Sequence, residues 1–195
     1  MSRLKIVTQT DNIEGKGTKT VLDNWMDDCA WATLACAANY LTGSKFTSSD
    51  AIKWGEKVGR KDRDGLPDPT SLDQLVKAGP LAGLKVTKPK NWSAVEAAVQ
   101  SGAVILINVQ QAKNYPDVRM SKWHTDREKR KPNVPYGHMT CAVRTSNSYE
   151  WACPTMSGKG NEEYAVPATW ADIKQIARSK GDAPHTRCLI AVKKK

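Results

Sequence analysis

The chain has 195 residues, 39% hydrophobic and 26% charged, which excludes a disordered chain and favours one sizeable core over two ordinary domains. Lys and Arg outnumber Asp and Glu by 30 to 20, a net charge of +10 that suits anionic partners, nucleic acid and acidic polymers among them, without selecting one. The longest apolar stretch, Cys29 to Leu41, is too short to cross a bilayer, and Met1-Ser2-Arg3-Leu4-Lys5 is not followed by the apolar core of a secretory signal.

Five cysteines, Cys29, Cys36, Cys141, Cys153 and Cys188, are an odd count at wide spacing, with no C-x-x-C pair. That argues against a disulfide framework and against structural zinc. Reduced thiols are expected, most of them in the core, with room for one reactive group. No metal or organic cofactor is expected.

Residues 1–21 read as an N-terminal arm containing a short strand, Leu4-Lys5-Ile6-Val7, and 22–195 as a single domain. Cys29 to Leu41 carries small and apolar residues on every side, which suits a helix buried all round. Asp27 or Asp28 can cap its start, and Gly43 sits where a left-handed residue ends it. The pattern Thr47-x-x-Asp50 opens a second helix from Ser48 to about Val58. Gly59 to Pro69 is charged and rich in Gly and Pro, hence a loop. Thr70 is expected to cap a short helix through Ala78, stopped by Gly79-Pro80, and another helix runs from about Ser93 to Ser101, ending at Gly102.

The second half changes character. Ala103 to Val109 reads as a central strand, and a basic loop follows from about Gln111 to Tyr136. His138 to Val143 and Tyr149 to Cys153 form a hairpin turned at Ser146-Asn147. Thr169-x-x-Asp172 caps a last helix to about Lys180, and Arg187 to Val192 closes the chain as a strand. Helices first and antiparallel strands afterwards make an α+β fold.

Two residues stand out chemically. Cys29 falls at the first turn of the buried helix, where unpaired backbone N–H groups and the helix dipole favour a thiolate, although Asp27 and Asp28 oppose it unless they point away. The alternative is a small core residue like Cys36. His138 begins a strand, so its ring can reach over the sheet rim to a thiol on a neighbouring helix and serve as a base. The alternative there is a hydrogen-bonded strand-end histidine. His124 in the basic loop and His185 in a polar turn are less well placed.

The segment from Asn24 through Cys29 to Ala35 resembles the nucleophile helix of the papain superfamily, in particular the bacteriocin-leader-processing peptidases and their peptidase-like relatives. Gly137-His138-Met139-Thr140-Cys141-Ala142-Val143, a turn, and Glu150-Trp151-Ala152-Cys153-Pro154 are similar to their histidine strand and the Asp-Pro that follows. The likeness covers most of residues 22–192. It implies a papain-like fold, an N-terminal helical half packed on an antiparallel half. It also implies that Cys29 attacks a carbonyl carbon while His138 takes the thiol proton and returns it to the leaving amine. Asn24 is the implied side-chain donor of the oxyanion hole, with the Cys29 N–H as the other half.

Where the family has Asp or Asn to orient the histidine, this chain has Cys153, and a thiol is a weak partner. A turn at Ser146-Asn147 sets Thr140 opposite Cys153 and His138 opposite Thr155. The resemblance makes Cys153 the first candidate for the orienting group; the Thr155 hydroxyl, set opposite His138, is the second, and Glu150 of the same strand the third. In the basic loop, Arg119, Lys122, Arg127, Lys129, Arg130 and Lys131 surround Tyr115 and Trp123, diluted by Asp117, Asp126 and Glu128. A solvated or partner-docking loop explains it better than nucleic-acid binding, for which no motif is present. Trp25 and Trp31 flank Cys29, and either is a candidate wall of the cleft.

The expected activity is hydrolysis of a peptide amide bond. Resemblance to phage-encoded hydrolases points to peptidoglycan endopeptidase or virion-associated peptidase, with peptide or peptidoglycan as substrate, other virion proteins as partners, no membrane, and host cytoplasm or virion as location. Two alternatives stay open: a processing protease for a protein partner, and a silent papain-like module acting as a structural subunit of a phage particle.

Overall fold

The computed structural model describes residues 3–7, 29–60, 62–63, 66–67, 70–109, 138–154, 165–177 and 183–194. In chain order these form α1 (Cys29–Thr42), α2 (Ser48–Lys57), β1 (Asp62–Arg63), β2 (Leu66–Pro67), α3 (Leu72–Ala78), a 3-10 turn (Gly79–Ala82) and β3 (Leu84–Thr87). They continue as α4 (Trp92–Gln100), β4 (Val104–Val109), β5 (His138–Arg144), β6 (Tyr149–Ala152), β7 (Val166–Ala168), α5 (Trp170–Ala177), a 3-10 turn (Pro184–Arg187) and β8 (Cys188–Lys193). The α+β expectation is met: helices precede and flank a six-stranded antiparallel sheet of order β3-β8-β4-β5-β6-β7.

Two apolar clusters, one on each face of the sheet, hold it. Buried residues of α1, including Trp31, Leu34 and Cys36, pack with Val104, Leu106, Met139, Cys141 and Val143. The alternate residues Ile105, Ile107, Val109 and Ala142 pack with Val95 and Val99 of α4 and Ile173 and Ile176 of α5. Every residue of α1 from Cys29 to Ala38 is buried, as a helix without a polar face must be. Gly43 then stops it at φ 74, a left-handed backbone that a side chain disfavours.

The starts of α2 and α5 follow the expected capping chemistry. The Thr47 hydroxyl accepts the Asp50 N–H, and an Asp50 carboxylate oxygen accepts the Thr47 N–H at 3.0 Å. Thr169 and Asp172 make the same reciprocal pair. Two expectations need correction, and two strands come in addition to those expected. The cap of α3 is Ser71, not Thr70, because Ser71 and Gln74 form a full capping box one residue later. The stretch Gly59 to Pro69 is not all loop, since β1 and β2 pair within it. Strands β3 and β7, the two sheet edges, complete the sheet although no expectation covered them.

Leu4 is fully buried and Val7 nearly so. The Leu4 carbonyl accepts the Ala165 N–H at 2.8 Å, and the Val7 N–H reaches Cys36 Sγ at 3.0 Å. Residues 3–7 thus thread between α1 and the β6–β7 side of the sheet.

Candidate active site

Strand β5 decides what meets what. It pairs with β4 through Val109↔His138 and Asn108↔Met139, and with β6 through Cys141↔Ala152 and Arg144↔Tyr149. This β5–β6 register is the one a turn at Ser146-Asn147 requires. Continued past Ala152, it sets Thr140 against Cys153 and Met139 against Pro154. His138 and Cys153 therefore rise from the same face. His138 Nε2 and Cys153 Sγ stand 3.1 Å apart, with the shared proton on sulfur or nitrogen according to the ring tautomer. Both are buried, at 4% and 1% exposure, so water does not compete for this contact.

Cys29 comes to the same strand from α1. Its Sγ accepts the Met139 N–H at 3.4 Å. Covalent geometry places the His138 Cα about 2.4 Å from that nitrogen, so the root of the imidazole lies within roughly 6 Å of the sulfur. Four residues on, one helical turn along the same face of α1, the Thr33 hydroxyl donates to the Met139 carbonyl at 3.0 Å. The Met139 peptide groups are thus held from both sides by α1.

The other cysteines have different surroundings. All five carry thiols and all are buried. Cys36 Sγ is occupied by the Val7 N–H. A hydrogen bond with Cys36, then burial, pushes the Cys141 thiol well above its ordinary range. Burial alone pushes Cys188 up to about 12. These are inert core thiols. Among the described residues no group of three or more His, Cys, Asp or Glu is arranged to hold a metal ion, and no helix is long and apolar enough to cross a membrane.

Glu150, the third choice for orienting His138, is engaged elsewhere. It lies opposite Val143, not at the His138 end of the strand. Its carboxylate accepts the Leu4 N–H at 2.9 Å and pairs with Arg3 Nε at 3.1 Å. Burial first, and then the Glu150 charge, raise the Tyr40 phenol. Trp31 is fully buried and lies against Gly55 of α2, where an added Cβ would stand 2.8 Å from its ring. It is a core residue and not a cleft wall. Asn24, Trp25, Asp27, Asp28, Thr155 and the basic loop around His124 lie outside the described residues. His185 is half-buried in the 3-10 turn before β8.

Two polar side chains near Cys29 escaped sequence reasoning. Thr33 was visible only as a break in the apolar run of α1. Asn108 is a similar break near the end of β4, opposite Met139, and its Oδ1 is buried with no hydrogen-bond partner among the described residues. In each case the signal was a lone polar residue inside an otherwise apolar buried element.

No protein-family model and no curated protein matches this chain. Among solved structures, it is similar to a Bacillus anthracis protein described as a C39-like peptidase, with a TM-score of 0.48 and 13% identity, over 98% of this chain and 96% of that one.

Proposed function

We propose that the protein is a cysteine peptidase of papain type in which Cys29 is the nucleophile, His138 the general base and Cys153 the group that orients the imidazole. The observation that carries this reading is the double placement at the start of β5. His138 Nε2 is held by Cys153 at 3.1 Å, and the adjoining Met139 N–H touches Cys29 Sγ at 3.4 Å. Nδ1 then takes the Cys29 proton, the sulfur attacks the carbonyl carbon of a peptide bond, and the tetrahedral oxyanion forms. The imidazolium returns its proton to the leaving amine. Water, deprotonated by the same ring, then cleaves the thioester and regenerates the thiol. Asn24 and the Cys29 N–H are the proposed oxyanion donors, and the Thr155 hydroxyl is the proposed alternative partner for the imidazole.

The substrate we propose is the peptide moiety of peptidoglycan, cut by a phage-type endopeptidase or a virion-associated peptidase. The net charge of +10 supports it, since anionic wall polymers concentrate a basic enzyme. The test uses labelled Gram-positive walls under reducing conditions. New amino groups should appear with the wild type and vanish in Cys29→Ala. Walls left intact, with cleavage of a defined phage or host protein instead, would reassign it as a processing protease.

One observation favours a second reading. A thiol in place of a carboxylate holds imidazole weakly, as expected of a papain-like module retained as a structural subunit of a particle. That reading requires Cys29 to be no more reactive than Cys36.

A further inference from the structure

We infer that Thr33 is a positioning residue that sets the distance between Cys29 and His138, an inference that rests on the reading of those two residues just proposed. Thr33 is fully buried on α1, one turn after Cys29. A hydroxyl buried there is costly unless it is bonded. Its one partner among the described residues is the Met139 carbonyl, at 3.0 Å.

The strand itself explains why that carbonyl needs a donor. β6 ends at Ala152, and the continued register sets Pro154 against Met139. Proline has no N–H to give. At this one step of β5 the neighbouring strand offers nothing to the Met139 carbonyl, and α1 supplies the donor. The same residue's N–H goes to Cys29 Sγ. One helix face therefore grips one strand residue at both its backbone groups, and His138 is the next residue along. Without the Thr33 bond, β5 keeps its apolar packing on α1, but the directional hold on the Met139 backbone is left to the Cys29 sulfur. That sulfur is the atom that must change charge and attack substrate.

Valine matches threonine in shape and lacks the hydroxyl. A net hydrogen bond of this class corresponds to roughly a fivefold change in an equilibrium. In Thr33→Val the alkylation rate of Cys29 near pH 6 should fall about fivefold, and its pH profile should move toward that of an ordinary thiol, near 8.5. Thr33→Ser, which keeps the hydroxyl, should retain the wild-type profile. Melting curves run in parallel separate this from loss of fold. Should the valine variant fail to fold, Thr33→Ala against Thr33→Ser gives the same contrast at nearly equal volume.

An unchanged profile in folded Thr33→Val overturns the inference and leaves the Cys29–His138 pair intact. Equal shifts in Val and Ser overturn it also, because the lost feature would then be packing. A wild type whose Cys29 already titrates as an ordinary thiol overturns the proposed function, and this inference with it.

Discussion

Replacing Cys153 with aspartate should make Cys29 more reactive while making the protein less stable. The sulfur stands 3.1 Å from His138 Nε2 in a buried setting. A neutral contact to a weak acceptor belongs at the low end of hydrogen-bond contributions, about 0.5 kcal/mol, whereas one to an ionised acceptor is worth about 1.5 to 3 kcal/mol. The difference, about 1 to 2.5 kcal/mol, favours the imidazolium and so the thiolate beside it. It corresponds to roughly a five- to seventyfold rise in the thiolate fraction at a pH below the ordinary thiol range. Aspartate also has two more heavy atoms than cysteine, and overfilling a packed site costs about 1 to 3 kcal/mol. Burying a carboxylate adds to that cost. Those penalties fall on folding and not on the thiol–imidazole equilibrium within the folded state. The assay is the second-order rate of iodoacetamide labelling at pH 6, read at the Cys29 peptide by mass spectrometry, with urea unfolding alongside. Cys153→Ala should slow labelling two- to threefold, about 0.5 kcal/mol. A folded Cys153→Asp no faster than wild type, with Cys153→Ala unchanged, would refute the reasoning.

Glu150→Ala should cost about 1 to 3 kcal/mol in urea unfolding, because the buried Leu4 N–H loses its acceptor. It should leave Cys29 labelling unaltered. Gly55→Ala should lose a similar 1 to 3 kcal/mol by overpacking, since the new Cβ would stand 2.8 Å from the Trp31 ring. Stability should decline as pH rises from 9.0 toward about 12, because Cys188 is pushed up to about 12 by burial. In that window the unfolded chain gives up a proton that the native state retains, so the contribution falls by about 1.4 kcal/mol per pH unit. Cys188→Ala should flatten that decline in a series of urea melts, and an equally steep fall in the variant would count against it.

Much of the frame was legible because its signals are local. The apolar run of α1, its stop at Gly43 and the Thr47–Asp50 box lie within a few residues of the structure they specify. The hairpin register followed from two turn residues, and that was enough to bring Cys153 onto the His138 side of β5. The edge strands were not legible. β3 has four residues and β7 three, one of them Pro167. Strands that short show too few alternations to distinguish from loops, and proline is tolerated there because an edge has an unpaired side. Nor could the sequence foresee that Glu150 would be taken by Arg3 and Leu4, partners 147 and 146 residues away. Thr33 shows the same limit at close range: a lone hydroxyl in an apolar helix advertises a buried bond, but its acceptor is 106 positions distant.

The pH dependence of Cys29 alkylation in wild type and His138→Ala tests the central claim most directly. A thiolate–imidazolium pair predicts rapid labelling well below the ordinary thiol value of about 8.5, lost when His138 is removed. Slow labelling that follows an ordinary or buried thiol, indifferent to His138, would contradict it.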